Sequence, residues 1–221
     1  MSRFLAPIHF WLFNKIKYHE DLEKEVIKGF KEIFNSNEID NIEKSNIKKY
    51  SSRIPDKPLE ELIDTNNIHG WLQERIRIAK TRQAAILADL FQKYKDNGIL
   101  LARNIYKQNG IALGKDARTK YNVSTPKDIY NALNNYILDG MPCDNVNSID
   151  VSEDDYLEYS QLTCLHKRYW DEAGADQNIM YDLRTTWIEA FVNSANPDFK
   201  YQVSSEKIGQ KEGFRHKIFR K

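Results

Sequence analysis

The sequence predicts an α+β protein, an N-terminal helical half packed on a small antiparallel sheet with crossing helices. Two observations carry that expectation. Apolar residues recur at helical spacing through most of the first 140 positions. Beyond them the texture changes to short strand-like runs on either side of one more helical stretch.

In order along the chain, Ile8, Trp11, Leu12, Ile16, His19, Leu22, Val26, Phe30 and Ile33 form the stripe of a first helix. Pro7 suits its first turn, where a missing N–H costs nothing. Asn35–Lys57 holds scattered isoleucines without a strong period and reads as a solvated connection with a short helix, closed by Pro55 and Pro58. A second helix begins near Asn66, capped by Thr65 or Asn66, with Ile68, Trp71, Leu72, Ile76, Ala79, Ile86, Leu90, Phe91 and Tyr94 on one stripe. Asn97-Gly98 breaks or kinks it, and a third helix follows with Leu101, Ile105 and Ala112 inward. Gly110 and Gly114 lie four apart, which leaves one helix face bare for close packing by another element. No strand precedes them and no Gly-Lys-Ser/Thr follows, so this is not a phosphate loop.

Thr125 as N-cap and Pro126 at the first position start another helix, with Ile129, Leu133, Tyr136 and Ile137 inward and Gly140 at its end. Val146–Val151 and Tyr156–Thr163 read as strands around a turn at 152–155. Asp176–Asn193 reads as a helix, and Phe199–Ser204 and Phe214–Phe219 as two closing strands. A single domain over 1–221 is the simplest organisation, helical over 1–125 and mixed over 126–221, with a softer boundary near Asn122–Pro126.

Composition narrows the function classes. The 221 residues are 41% hydrophobic, enough for a sizeable core, and their net charge of +1 lacks the basic excess of a nucleic-acid binder. Two cysteines exclude a disulfide-dense scaffold. No run approaches 18 apolar residues, so no membrane partner is expected. Phe4–Phe13 follows Arg3 like a leader, but Pro7 and His9 interrupt it and no small-residue cleavage site follows. A cytoplasmic location is the default expectation. Phe10, Trp11 and Phe13 spread around more than one face of the first helix, which suggests a homo-oligomer through that helix.

Cys164 and His166 are the leading chemical candidates. Two apart in an extended segment, they would face one side, and an imidazole lowers a neighbouring thiol's pKa. The same pair, with Cys143 and His216, could also ligate zinc, but the spacing matches no standard zinc pattern, and neither metal nor cofactor is expected. Cys164 reads equally as a small buried hydrophobe and His166 as an exposed neighbour of Lys167 and Arg168. Trp170 and Tyr169 are candidate pocket walls or core. Arg184 is a candidate anion-binding residue or a surface ion pair with Asp182. His69, ahead of Gly70, is a candidate base or a structural histidine.

Lys93–Lys115 with its paired glycines, then Cys164, Asn196-Pro197, and Ile208-Gly209 before a final strand, resemble in their order the L-2-amino-thiazoline-4-carboxylic acid hydrolase-like family over roughly 86–219. The resemblance implies a hydrolase that opens a small cyclic amidine at a C–N bond, giving an N-carbamoyl amino acid. It would place Cys164 and His166 as catalytic residues, with Arg184, Trp170, Arg215 and His216 around the substrate. The chain departs from the family's pattern at two points: Phe214 is followed by Arg215-His216 where members often carry a cysteine, and Leu183 to Thr186 hold none. The alternative is a non-catalytic small-molecule module similar to vinyl-reductase-like sensor domains, with Trp170, Tyr169 and Trp187 lining an apolar pocket.

Overall fold

The structure is a computed structural model that describes residues 5–144, 146–208 and 211–221. Arg3, Phe4 and Gly209, which entered the sequence reading, lie outside the described residues. The α+β expectation holds: seven helices and one four-stranded antiparallel sheet form among the described residues, with the sheet in the C-terminal half. The helices are α1 (Pro7–Ile33), α2 (Ser36–Tyr50), α3 (Leu59–Leu62), α4 (Ile68–Lys120), α5 (Pro126–Leu133), α6 (Lys167–Ala173) and α7 (Gln177–Ala195). The strands are β1 (Asn147–Ser152), β2 (Tyr156–Gln161), β3 (Phe199–Ile208) and β4 (Lys211–Arg220), in the order β1-β2-β4-β3. None of these helices is long and apolar enough to cross a membrane.

The chain groups into two compact units. The first holds the residues up to Leu101, Ile137–Met141 and His166–Met180; the second holds Ala102–Tyr136, Pro142–Leu165 and Tyr181–Lys221. They part within α4, whereas the softer boundary expected near Asn122–Pro126 falls inside the second unit.

In the first unit, Pro7 opens α1 and the His9 side chain turns back, its Nδ1 accepting from the Ala6 N–H at 3.0 Å. Leu12, Phe13 and Ile16 are buried against Leu59, Ile68, Leu72 and Ile76, and Phe10 and Trp11 pack on the same cluster. Of the rings that suggested an oligomer, Phe13 is buried within the chain, while Phe10 and Trp11 are half-buried. Ile8 and Ile33, at the ends of the expected stripe, are exposed.

Three sequence expectations are corrected here. The segment 35–57 is not a loose connection: it contains the 15-residue α2, capped by Asn35, whose side chain accepts from the Asn37 N–H at 3.0 Å. Its few apolar contacts, Ile39 and Tyr50, are supplemented by polar anchors. Asn46 donates to Asp89 at 2.7 Å, and Lys31 pairs with Asp40 and Glu43. The cap of α4 is Asn67, which accepts from the Gly70 N–H. The helical path of α4 is interrupted at Lys95 (φ 49°, ψ −136°), two residues before Asn97-Gly98.

The first unit also buries charge. Arg82 is fully buried, donating to Glu20 at 2.8 Å, to Glu23 at 3.0 Å and to the Ser51 carbonyl at 3.1 Å. Arg53 closes the network on Glu23 and Glu43 at 2.7 and 2.8 Å. Burial raises the Glu23 pKa despite both guanidinium groups.

In the second unit, the glycine pair does what its spacing suggested. A Cβ on Gly110 would lie 2.5 Å from the Trp187 carbonyl oxygen, and one on Gly114 would lie 2.4 Å from that of Phe191. The bare face of α4 thus lets α7 approach to backbone contact. Asn109 accepts from the Trp187 indole N–H at 2.7 Å beside that contact. Thr125 caps α5 with Pro126 in its first turn, as expected; Asp128 completes a reciprocal capping box, and the helix stops at Leu133 rather than at Gly140.

Candidate functional site

The register of the sheet builds the site. Three rungs run across β2, β4 and β3: Leu157–Ile218–Tyr201, Tyr159–His216–Val203 and Gln161–Phe214–Ser205. Because side chains alternate along each strand, these nine residues share one face. Burial falls along that face, from Leu157 and Ile218, both fully buried, to half-buried Phe214 and exposed Ser205.

Tyr181, Arg184, Thr185 and Ile188 of α7, at i, i+3, i+4 and i+7, stand opposite the polar end of this face. Between helix and sheet lies a cavity of about 230 Å³, into which Gln161, Tyr201, His216 and Asp182 also project. Its walls are held from several sides. His216 stacks on Tyr159 at 4.5 Å, with the planes 5° apart, and its Nδ1 is 2.6 Å from the Tyr201 hydroxyl. The Phe214 ring meets Tyr181 at 4.8 Å. The Gln161 amide nitrogen donates to Asn147 at 3.1 Å, and Asp182 accepts from Arg103 at 2.9 Å.

The sequence candidates divide over the two units. Arg184 and His216 meet at this cavity. Arg215 does not: one residue from His216, it belongs to the opposite face, where its guanidinium engages Glu158 and Glu206. Trp170 is buried in the first unit, stacked on His166 at 5.4 Å, so it is a core residue there rather than a wall of this cavity.

The premise that paired Cys164 with His166 also fails locally. Strand β2 stops at Gln161, residues 162–166 are irregular, and His166 has helical φ/ψ ahead of α6. Alternation therefore does not operate between positions 164 and 166. Half-buried Cys164 belongs to the second unit, and buried His166 to the first, with its Nε2 3.1 Å from an Asp139 carboxylate oxygen. His69 is exposed and packs edge-on against His9 at 5.9 Å. Among the described residues, no group of three or more His, Cys, Asp or Glu side chains is arranged to hold a metal ion.

Tyr201, Gln161, Tyr181, Asp182 and Phe214 were not candidates from the sequence. The signal that points to them is the pairing of two long strands, which puts Tyr201 and Ser205 in line with Phe214 and His216. Comparison with family models, curated proteins and solved structures finds no match for the chain.

Proposed function

We propose that the second unit binds a small ring-bearing carboxylate in the cavity between α7 and the sheet. The observation that carries this reading is the composition of one cavity: a guanidinium from Arg184, hydroxyls from Thr185 and Ser205, and ring walls from Tyr181, Phe214 and Tyr201. A guanidinium fork matches the two oxygens of a carboxylate, and aromatic faces suit a flat ring. About 230 Å³ is the share of roughly seven or eight water molecules, which fits a ligand on the order of ten non-hydrogen atoms.

A second reading keeps the reaction implied by the family resemblance, hydrolytic opening of a cyclic amidine. The hydrogen-bonded His216–Tyr201 pair in the cavity wall supports it, since such a pair can move a proton to a departing nitrogen or sulfur. One experiment separates the readings. The purified chain is titrated calorimetrically with 2-amino-thiazoline-4-carboxylate and with benzoate, and the mixtures are then weighed by mass spectrometry. Binding lost in Arg184→Met but retained in Gln202→Ala, on the opposite sheet face, supports the site. Gain of one water by the thiazoline supports hydrolysis, and loss of that gain in Cys164→Ala would give the thiol a part in it. Equal binding by wild type and Arg184→Met would overturn the proposed site.

A further inference from the structure

A second set of titratable groups, which the cavity does not use, is gathered inside the first unit. His19 of α1 is held by its backbone and its ring: Gln83 donates to its carbonyl at 3.1 Å, and the ring hydrogen-bonds the Ala79 backbone. The residue keeps some exposure, but its Nε2 is sealed from solvent and has no hydrogen-bond partner among the described residues. The charged groups facing it are nearly all cationic. Lys80 and Arg82 come from α4, and His166 precedes α6.

The carboxylates nearby are already engaged. Glu20 and Glu23 hold Arg82, Glu23 and Glu43 hold Arg53, and Asp139 holds His166 at 3.1 Å. Lys80 donates to the Asp139 carbonyl and lies over the Tyr169 ring.

We propose that His19 is an acid-sensitive latch: its protonation breaks the packing of α1 on α4 and opens the first unit while the sheet stays folded. A protonated ring would carry an N–H at Nε2 with no acceptor and a charge facing Lys80, His166 and Arg82. Burial first, and then those cations, hold its folded pKa well below 6.5. The sign follows directly. A histidine with a depressed folded pKa contributes full stability above its unfolded value near 6.5, and that contribution is lost as pH falls below it. For one proton the closed-to-open ratio falls by up to about tenfold per pH unit.

The test uses the full chain with labelled histidine, following ring resonances by NMR and backbone amide exchange at pH 7, 6 and 5, corrected for intrinsic exchange. The expected result is a His19 ring still neutral at pH 6 in the folded protein. Protection of α1 amides should fall by up to about tenfold per pH unit, with little change in 199–208. His19→Gln should flatten that dependence. Lys80→Met, which removes one facing cation, raises the folded His19 pKa, so the loss of protection should still begin near 6.5 but level off sooner and be smaller in total. A His19 ring that titrates near 6.5 in the folded chain would overturn the latch, even if His19→Gln does not fold. Equal loss of protection in α1 and β3 would overturn it as well.

Discussion

Replacing Gly110 by Ala tests the closest helix contact in the second unit, and two opposed effects set its sign. Taken alone, Gly→Ala in a helix interior gains about 1 kcal/mol from propensity. Here the new methyl would sit 2.5 Å from the Trp187 carbonyl oxygen and 3.1 Å from the Ala190 Cβ. A carbon–oxygen contact normally settles at about 3.3–3.6 Å, so α7 must recede by roughly 0.8 Å or more. The nearest obstacle is backbone, and no rotamer change relieves it. Overpacking of this kind costs about 1–3 kcal/mol, so the net expectation runs from no gain to a loss of about 2 kcal/mol. Each kcal/mol lowers Tm by roughly 4–8 °C in a body of this size. Gly114→Ala, 2.4 Å from the Phe191 carbonyl oxygen, should behave alike. The double variant should lose less than the sum, because one displacement of α7 relieves both contacts. Near-UV circular dichroism of thermal unfolding reads the result through the Trp187 environment. A rise in Tm for Gly110→Ala would mean that propensity acts unopposed and would refute the close approach.

Three further outcomes are expected. Lys95→Gly removes a positive-φ strain of about 1–3 kcal/mol against a glycine penalty of about 0.5–1 kcal/mol, so the urea midpoint should rise; a fall would show that Lys95 is unstrained. Arg82→Met leaves Glu20 and Glu23 buried without their main counter-charge and should cost about 3–5 kcal/mol by the same assay; a loss below about 1 kcal/mol would contradict the network. Glu158→Gln should bring Tyr156 back toward the ordinary phenol range in an alkaline absorbance titration. Its pKa is pushed up to about 12, by burial first and then by the 2.5 Å hydrogen bond to Glu158. The Glu158 pKa is itself lowered by Tyr156 and then Arg215, so its contribution to stability is present above pH 4.5 and is lost as pH falls.

Much of the fold was legible because local chemistry and tertiary packing agree. Thr125-Pro126 starts α5 by capping alone, and Gly110 and Gly114 marked a helix contact because only an absent side chain admits a backbone so close. What stayed hidden was held by polar contacts. Helix α2 has few buried apolar residues and is fastened by Asn46, Lys31 and Glu43, which a search for apolar periodicity does not count. Glu20 and Glu23 occupy inward positions between Ile16 and Ile27 on α1, yet an acidic residue in an apolar stripe reads as noise until Arg82 is found opposite. The site was legible for Arg184 and His216 and not for Arg215, because residue type is visible in the sequence whereas strand facing depends on register. Cys164 and His166 misled for the same reason: alternation applies only inside a strand, and this strand ends three residues earlier.

The division of the chain into units has a consequence for biosynthesis. The polypeptide passes from one unit to the other at 101/102, 136/137, 141/142, 165/166 and 180/181. The ribosome therefore cannot finish either body before starting the next. The latch helices α1 and α4 emerge early, but Asp139, His166 and α6 follow only after some of the second unit has been made. Neither half can be cloned as one uninterrupted fragment, and a truncation after residue 101 would leave the nascent helices with an open flank for chaperones to shield.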